Sequence, residues 1–281
     1  MKKKRLIPVL LLKNGWLVQS KGFRRYQNLG NPITAVKRLS EWASDELIYL
    51  DISREGEYDL RRDDLGHPNR HSFFEIIADV SKVTFMPITV GGQIRTLGDI
   101  EKRLLLGADK ISINTKALDD PNFVQVAAHE FGSQCVVVSI DVKLVDGGYK
   151  VMGEGGTRMS PYGPVEWAKL VEQQGAGEIL LNSIDRDGMK NGYDLELLKL
   201  VSTSVKIPVI ACGGAGEWSH LAEAFEKTKV DAVAAANIFH YVDQSVCLAK
   251  KYLYDHGYHV RPPDLLFVGK SAEFPGSARA V

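Results

Sequence analysis

Eight short apolar segments rich in β-branched residues recur along the chain and alternate with amphipathic segments. The strand candidates are residues 6–12, 46–52, 86–90, 110–114, 136–142, 178–184, 209–212 and 232–238. Each is nearly continuously apolar, which is typical of parallel strands buried on both faces. Residues 99–106, 164–174 and 217–227 have the periodicity and end signals of helices. The pattern predicts a (β/α)8 TIM barrel, and an eight-stranded doubly wound sheet is the alternative.

An internal repeat favours the barrel. Gly91-Gly92 follows the third strand and Gly213-Gly214 follows the seventh, 122 residues later, and Asp109 and Asp231 have the same separation. The simplest explanation is a barrel of two similar half-barrels, about 1–130 and 131–260. We therefore expect one barrel domain over 1–260 and a C-terminal tail over 261–281. The charged segment 53–72 is either a solvated excursion or a lid or partner contact at the active face.

Composition narrows the possible functions. The 281 residues include 35 basic and 35 acidic side chains, so the formal net charge is zero. This balance argues against binding to nucleic acid or to a membrane surface, which needs clustered cations. The sequence has no apolar stretch of the roughly 18–20 residues that a membrane helix needs. The three cysteines have no Cys-x-x-Cys spacing. We expect a cytoplasmic protein without a metal or a cofactor.

Candidate chemistry lies at the carboxyl ends of the predicted strands, where the active face of a parallel barrel is found. The polar residues there include Asp51, Asn114, Thr115, Asp141, Asn182 and Asn237. Asp141 ends an otherwise apolar strand, and Asp187 follows the sixth strand. Together they could act as a general acid and base. The alternative is structural, with Asp141 satisfied by hydrogen bonds and Asp187 in a turn paired with Arg186.

The two glycine pairs open loops three and seven of the predicted barrel. Glycine lets backbone N–H groups approach an anion, and the start of the following helix favours negative charge. We expect one phosphate site at Gly91 and Gly92 and a facing one at Gly213 and Gly214, beside Ala236 and Asn237. The remaining candidate ligand-binding residues are Asp51, Asn114, Thr115 and Asn182. Such a pair of sites suits a small molecule with a phosphate at each end.

Charged residues also lie at the opposite, amino ends of four strands. They are Arg5, Glu46, Lys110 and Glu178. One interpretation is ordinary charges that keep the bottom of the barrel soluble. The other is a ring of two cations and two anions that plugs the bottom.

The chain resembles the cyclase subunit of imidazole glycerol phosphate synthase, the HisF family of histidine-biosynthesis barrels, from about residue 5 to 260. The matching segments are 45–52, 108–114, 131–135, 166–169, 175–181, 185–188, 192–197, 207–211 and 213–216. The resemblance implies a (β/α)8 fold and phosphate sites on both halves. It also implies a HisH-like glutaminase at the bottom of the barrel that sends ammonia through it. Arg5, Glu46, Lys110 and Glu178 fall on the family's charged gate to this conduit.

This sequence departs from the family pattern at the active face. The family's aspartate in strand one corresponds to Leu11, which cannot transfer a proton, whereas the loop-six aspartate is retained as Asp187. The remaining departures are at Gln19 (family lysine), Gln93 (glycine), Asn182 (threonine), Cys212 (serine) and Asn237 (serine). Loss of a main acid/base group typically costs about 10²–10⁴ in rate.

The chain keeps the charged gate but lacks the strand-one aspartate. In this pattern it resembles HisF-like paralogues associated with glycosyl amidation in surface-polysaccharide pathways. This resemblance implies a barrel subunit of a glutamine-dependent amidotransferase that supplies ammonia to an acceptor reaction, with a separate sugar amidotransferase as a further partner. The first alternative is an active cyclase, a lyase of histidine biosynthesis in which Asp187 and Asp141 carry the chemistry. The second is a scaffold or sensor that keeps a phosphate pocket and conducts no ammonia.

Overall fold

Eight parallel strands close into a barrel in the computed structural model, which describes residues 3–42, 44–54, 58, 60, 63–64, 66–240 and 245–263. The barrel strands are β1 (Arg5–Lys13), β2 (Leu47–Asp51), β3 (Ile88–Gly91), β4 (Lys110–Ile113), β5 (Val136–Val145), β6 (Glu178–Ser183), β7 (Val209–Cys212) and β8 (Ala232–Ala235). Each strand pairs with the next, and β8 pairs with β1. The predicted (β/α)8 barrel is confirmed.

Helices follow the strands and cover the outside of the barrel. They are α1 (Pro32–Glu41), α2 (Phe73–Val83), α3 (Leu97–Leu105), α4 (Thr115–Asp119), α5 (Asn122–Phe131), α6 (Pro164–Gln173), α7 (Leu195–Ser202), α8 (Trp218–Lys227) and α9 (Ser245–Asp255). Polar side chains cap several N-termini: Ser72 accepts a hydrogen bond from the Glu75 amide, and Thr96 accepts one from the Asp99 amide. In the part of the chain that the structure describes, no helix has the length and apolar character needed to cross a membrane.

Antiparallel hairpins extend β1 and β5 above the barrel, and the strand pattern did not predict them. The strand Trp16–Lys21 pairs with β1 and with Arg25–Gly30, and Gly148–Gly153 pairs with β5 and with Arg158–Met159. Two adjacent positive-φ residues make each first turn, Asn14-Gly15 and Asp146-Gly147. Asn-Gly and Asp-Gly are the typical sequences of such turns. A hairpin in the same place in each half agrees with the expected half-barrel repeat.

The predicted strand over 232–238 is too long at its end. β8 stops at Ala235, and Asn237–His240 forms a 3₁₀ turn. The chain leaves the sheet here because the Asn237 amide donates to the Ser20 carbonyl oxygen (2.8 Å) of the first hairpin. A short two-stranded pair, Asp63–Asp64 with His67–Pro68, lies in the charged segment 53–72, of which residues 55–57, 59, 61–62 and 65 fall outside the described residues.

The core has two layers. The outer layer packs the strands against the helices, and Trp167 and Tyr49 are fully buried in it. A second, separate cluster fills the inside of the barrel and is called the inner cluster below. Its buried members are Ile7, Val9, Leu11, Val18, Ile48, Val137, Leu180, Ile210, Ala232 and Ala234. The apolar part of the barrel interior is aliphatic, with small alanine side chains along β8. The buried hydroxyl side chains of Thr89, Ser112 and Ser139 are in register with this layer on β3, β4 and β5.

The last described part of the chain, from α9 onward, is attached to the bottom of the barrel, the end where the strands begin. Lys250 of α9, whose side chain is completely buried, pairs with Asp45 (2.7 Å), and Arg261 pairs with the same carboxylate (3.3 Å). Lys4 and Val260 form a parallel bridge beside them. The domain boundary at 260 stays a prediction, and residues 264–281 of the expected tail lie outside the described residues.

Candidate functional site

Polar side chains form one level across three neighbouring strands at the mouth of the barrel, the end where the strands have their carboxyl termini. In the sheet register, Asn182 on β6 lies between Asp141 on β5 and Cys212 on β7. Asp141 is buried and accepts hydrogen bonds from Ser139 Oγ (3.3 Å) and Asn114 Nδ2 (3.3 Å). The predicted site residues of β4, β5 and β6 thus lie together.

Asp141 has the ionisation behaviour of a proton-exchanging group. Burial, and to a smaller degree the negative charge of Asp187, raise its pKa to about 7, although hydrogen bonds from Ser139 and Asn182 act in the opposite direction. A carboxyl group with a pKa near neutrality can both take and give a proton in this range.

Asp187, in the loop after β6, faces the first hairpin. Its Oδ2 accepts hydrogen bonds from Ser20 Oγ (2.7 Å) and from the Phe23 amide (3.3 Å). Burial raises the pKa of Asp187, and these hydrogen bonds oppose the rise. Asp187 lies in a turn, but among the described residues no ion pair joins it to Arg186, so the pairing in the structural alternative is not formed. Instead, Asp187 attaches the hairpin to the mouth of the barrel.

The β1 side of the mouth is apolar. Leu11 is 9% exposed and belongs to the inner cluster. Its register partners are Leu50 on β2 and Val18 in the hairpin. The position where the resemblance places a catalytic aspartate is therefore filled by a side chain that packs against other hydrocarbon and offers no proton.

In loop three, the Gln93 side chain lies against Asp51 and Ser53, where the resemblance places a glycine and a phosphate site. Gln93 has φ +53°, and its Nε2 donates to Asp51 Oδ2 (3.1 Å) and to the Ser53 carbonyl oxygen (3.1 Å). Burial raises the pKa of Asp51, although a hydrogen bond from Ser53 lowers it. Gln93, which stands where the family has a third glycine, is thus hydrogen-bonded to Asp51.

Asn114 and Thr115 are also satisfied within the protein. Asn114 Nδ2 donates to the Ser139 carbonyl oxygen (3.0 Å) as well as to Asp141. Thr115 Oγ1 donates to Asn114 Oδ1 (3.2 Å) and accepts from the Glu154 amide (2.9 Å). A phosphate in this half of the mouth would have to compete with these contacts.

Close packing accounts for the glycine pairs. A Cβ on Gly92 would lie 2.0 Å from the Asp51 carbonyl oxygen, and one on Gly213 would lie 2.6 Å from that of Ser183. Gly91 would meet Leu50 at 2.6 Å, and Gly214 the Gly192 carbonyl oxygen at 2.1 Å. Glycine at these positions lets loop three pack against the end of β2 and loop seven against the end of β6, so the two halves use their glycine pairs in the same way.

Side chains of the protein cap the N-termini of the two helices that follow these glycines. Asp99 accepts from the amides of Arg95 (3.0 Å) and Thr96 (2.9 Å) at α3. His220 Nδ1 accepts from the Gly216 amide (3.2 Å) at α8. Since side chains already take these N–H groups, the two phosphate sites stay predictions.

Two amide oxygens on the other half of the mouth have no partner. Asn182 Oδ1 and Asn237 Oδ1 are buried and, within the described residues, accept no hydrogen bond. Both amides have a defined orientation, because the nitrogen of Asn182 faces Asp141 and that of Asn237 donates to the Ser20 carbonyl oxygen. Ala236, the neighbouring predicted ligand residue, packs against the inner cluster.

At the bottom of the barrel four charged side chains close a ring. Glu46 pairs with Arg5 (2.5 Å) and Lys110 (3.0 Å), and Glu178 pairs with Lys110 (3.1 Å) and with Arg5. Burial alone would raise the pKa of Glu46, but the charges and hydrogen bonds of Arg5 and Lys110 outweigh it and hold that pKa below its ordinary value. The ring lies at the amino ends of β1, β2, β4 and β6. The four side chains thus form a ring of alternating charges, and the interpretation that they are separate, solvated surface charges is wrong.

Sequence reasoning missed Ser20, which links the hairpin to Asp187. The Asn14-Gly15 turn was the available signal for the hairpin, but no local pattern indicates a contact with a residue 167 positions away. No group of three or more His, Cys, Asp or Glu side chains that could hold a metal occurs among the residues that the structure describes.

The raised pKa of Asp141 predicts a pH dependence of stability. Its ordinary pKa is 3.8 and its folded pKa is about 7, so between these values the folded chain binds more protons than the unfolded chain. The free energy of unfolding therefore falls as pH rises from about 4 to 7, by about 2–4 kcal/mol from this group.

Urea unfolding of the wild type and of Asp141→Asn across that range measures the effect. We expect the difference between the two curves to grow in favour of the variant as pH rises. Asp255→Asn, at an exposed ion pair with Lys251, is the control and should leave the slope unchanged. A constant difference for Asp141→Asn would contradict the raised pKa.

The comparison with known families agrees with this architecture. The sequence model of the family described as histidine biosynthesis protein matches residues 5–245. The match runs from the first residue of β1 to the first residue of α9 and so covers all eight barrel strands. This chain belongs to the histidine biosynthesis protein family.

Proposed function

We propose that this chain is the HisF-like barrel subunit of a glutamine-dependent amidotransferase. Ammonia enters at the bottom from a glutaminase, crosses the barrel and leaves at the mouth for an acceptor reaction. The closed ring of Arg5, Glu46, Lys110 and Glu178, directly below the aliphatic inner cluster, carries this proposal.

The inside of the barrel suits neutral ammonia. Ile7 and Val9 of β1 and the small side chains of Ala232 and Ala234 line the space above the ring. An ammonium ion would give up its hydration there for hydrocarbon and for the uncharged hydroxyl groups of Thr89, Ser112 and Ser139, at a cost of several kcal/mol. Neutral ammonia pays a much smaller penalty. The path then has a charged entrance, formed by the ring, and an uncharged interior above it.

Asp141 and Asp187 act at the exit. Asp141, with its pKa near neutrality, can take a proton from ammonium that forms at the mouth and so return the nucleophilic free base. Asp187 holds the hairpin over the exit through Ser20. We propose sugar amidation by a separate enzyme as the acceptor reaction, on the resemblance to the polysaccharide-pathway paralogues.

The glutaminase docks on the bottom of the barrel. Phe85 before β3 and Leu105 at the end of α3 are 68% and 80% exposed. Both lie at the end of the barrel that carries the ring. Large apolar side chains this exposed, near a functional opening, are typical of a protein interface.

An active cyclase of histidine biosynthesis is the second candidate. Asp141 and Asp187 favour it, because both carboxyls lie at the mouth with raised pKa values. Leu11 and the occupied loop three oppose it, since one leaves β1 without a carboxylate and the other fills a phosphate position.

Glutamine hydrolysis by a HisH-like glutaminase, measured with and without this chain, tests the proposal. We expect the chain to bind the glutaminase and raise its turnover by about ten-fold or more. Leu105→Asp should weaken binding by about ten-fold or more, because a charge in a buried interface is poorly solvated.

Met159→Asp provides a matched control. Met159 is 56% exposed on the hairpin above β5, far from the bottom in the fold, so this variant should bind as the wild type does. A glutaminase that neither binds the chain nor responds to it would contradict the proposal and favour a scaffold.

A further inference from the structure

A cavity of about 800 Å³ lies beside the mouth, between the hairpin above β5, the loop after β6 and the first turns of α7 and α8. It is called the side cleft below. Of the thirteen described residues that line it, four carry a carboxylate and one, Arg186, carries a fixed positive charge. The carboxylates are those of Asp185, Asp194, Glu196 and Glu223. Because acidic and basic residues are equal in number over the whole chain, the side cleft holds a local excess of negative charge.

Two of these carboxylates are held in place by the fold. Asp194 Oδ1 accepts hydrogen bonds from the Tyr149 hydroxyl (2.9 Å) and from the Leu197 amide (3.1 Å). Asp185 Oδ2 accepts one from the Leu144 amide (2.7 Å). Within the described residues nothing donates to Asp194 Oδ2 or to Asp185 Oδ1, so each carboxylate keeps an oxygen for a further donor.

The negative charge of the side cleft is not neutralised by the described part of the chain. Three of the four carboxylates form no ion pair with a described residue, and the fourth, Glu223, pairs with Lys227 (3.2 Å). Burial raises the pKa of Tyr149, and its hydrogen bond to Asp194 and the negative charges of Asp194 and Glu196 raise it further, although Arg186 opposes them. A partner that brings positive charge would therefore be attracted to the side cleft.

The carboxylates are spread over the side cleft and are not gathered at one point. They come from the loop after β6, from α7 with its N-cap and from α8, and no group of three or more acidic, His or Cys side chains among the described residues could hold a metal ion. The rim is apolar at Leu144, which is 52% exposed. Lysine and arginine carry long apolar stems below their charged ends, and arginine is enriched in protein interfaces. The side cleft thus fits a protein segment with several basic side chains.

We propose that the side cleft docks the enzyme that consumes the ammonia, through a surface segment of that enzyme in which lysine and arginine side chains flank an apolar one. This inference rests on the proposed function, because the side cleft lies at the end of the barrel where the ammonia leaves. Leu144 follows Asp141 on β5, and Asp185 precedes Asp187 in the loop after β6, so two walls of the side cleft continue from the exit. Complementary charge steers such a partner to this face and leaves the bottom of the barrel to the glutaminase.

Fluorescence anisotropy with a labelled peptide, Arg-Leu-Arg-Arg-Leu-Arg, measures the preference of the side cleft. We expect this peptide to bind the full chain with an affinity that falls with added salt, and a Glu-Leu-Glu-Glu-Leu-Glu peptide not to bind. Glu196→Gln/Glu223→Gln should raise the Kd by about ten-fold, because two charge pairs are lost. Both side chains lie on helix surfaces, so the fold should be kept, which thermal unfolding verifies. The control Glu101→Gln/Glu130→Gln removes the same charge at exposed positions of α3 and α5 and should not change the Kd.

A glutaminase, this chain and a sugar amidotransferase, assayed together, test the identity of the partner. We expect less amidated sugar per glutamate formed with Glu196→Gln/Glu223→Gln than with the wild type, and ammonium salt in solution should remove the difference. The proposal is overturned if the wild type does not bind the arginine peptide, if the double variant binds it equally well, if spermidine binds more tightly than the peptide, or if the double variant delivers ammonia as the wild type does. Peptide binding without glutamine-driven amidation in the wild type would contradict the proposed function and the identity of the partner, but not the preference for a basic segment.

Discussion

Glu178→Gln is expected to lower the free energy of unfolding by about 2–4 kcal/mol. One buried carboxylate, with a side chain 7% exposed, holds both Arg5 and Lys110 in the ring at the bottom of the barrel. The amide keeps the volume but not the charge, so two cations then share Glu46 alone. Removal of one partner from a buried ionic network leaves a charge without compensation, which is the costly part of the change.

Urea or thermal unfolding measures this effect. Lys227→Gln is the control, because its pair with Glu223 is on the surface, with side chains 52% and 43% exposed. An exposed pair of this kind contributes about 0–1 kcal/mol. Since the pKa of Glu46 is lowered in the fold, its contribution is present above its ordinary pKa and is lost as pH falls. Equal effects of Glu178→Gln and Lys227→Gln would show that the ring is not an integrated network.

The same variant should uncouple the two ends of the barrel. With a glutaminase bound, we expect less acceptor product per glutamate formed in Glu178→Gln, because ammonia escapes at the opened ring. Supply of ammonium salt from solution should bypass the defect. Full coupling in this variant would count against passage through the ring.

Leu11→Asp is the second change with a large expected effect and should cost about 3 kcal/mol of stability near pH 8. The new carboxylate would replace a buried side chain of the inner cluster, with Val18 and Leu50 as its register partners and Val9 in the same cluster. Burial would raise its pKa, so folding would favour the protonated form. The free energy of unfolding should therefore fall as pH rises through the ordinary range of an aspartate and above.

Leu11→Asn separates charge from shape, since it introduces the same size and polarity with no titration. We expect Leu11→Asn to be destabilised to the same degree at every pH, and Leu11→Asp to match it only at acidic pH. A Leu11→Asp variant as stable as the wild type at pH 8 would mean that the mouth is polar on its β1 side.

The barrel strands were predictable from sequence because parallel strands buried on both faces leave nearly continuous apolar runs. The predicted bounds of β7 agree with the structure, and those of each other strand differ by one to three residues at one or both ends. The end of β8 was wrong because a distant contact, Asn237 with Ser20, turns the chain there. The two hairpins were missed although Asn14-Gly15 and Asp146-Gly147 carry the turn signal.

Much less of the site could be read from sequence. Strand order alone brings Asp141, Asn182 and Cys212 to one level, since parallel strands end at one face. The contact of Asp187 with Ser20, the insertion of Gln93 beside Asp51 and the vacant acceptor on Asn237 depend on how loops fold back. Such contacts join residues far apart in the chain and leave no periodicity.

Turnover of the linear ribulosyl substrate of the cyclase by the purified chain, in high ammonium salt, tests the central claim most directly. Ammonium removes the need for a glutaminase, and an established cyclase run on the same substrate verifies its quality. The account predicts no turnover by this chain, because β1 presents Leu11 to the mouth and loop three is filled. Turnover that is lost in Asp187→Asn or Asp141→Asn would contradict it and assign cyclase chemistry to this barrel.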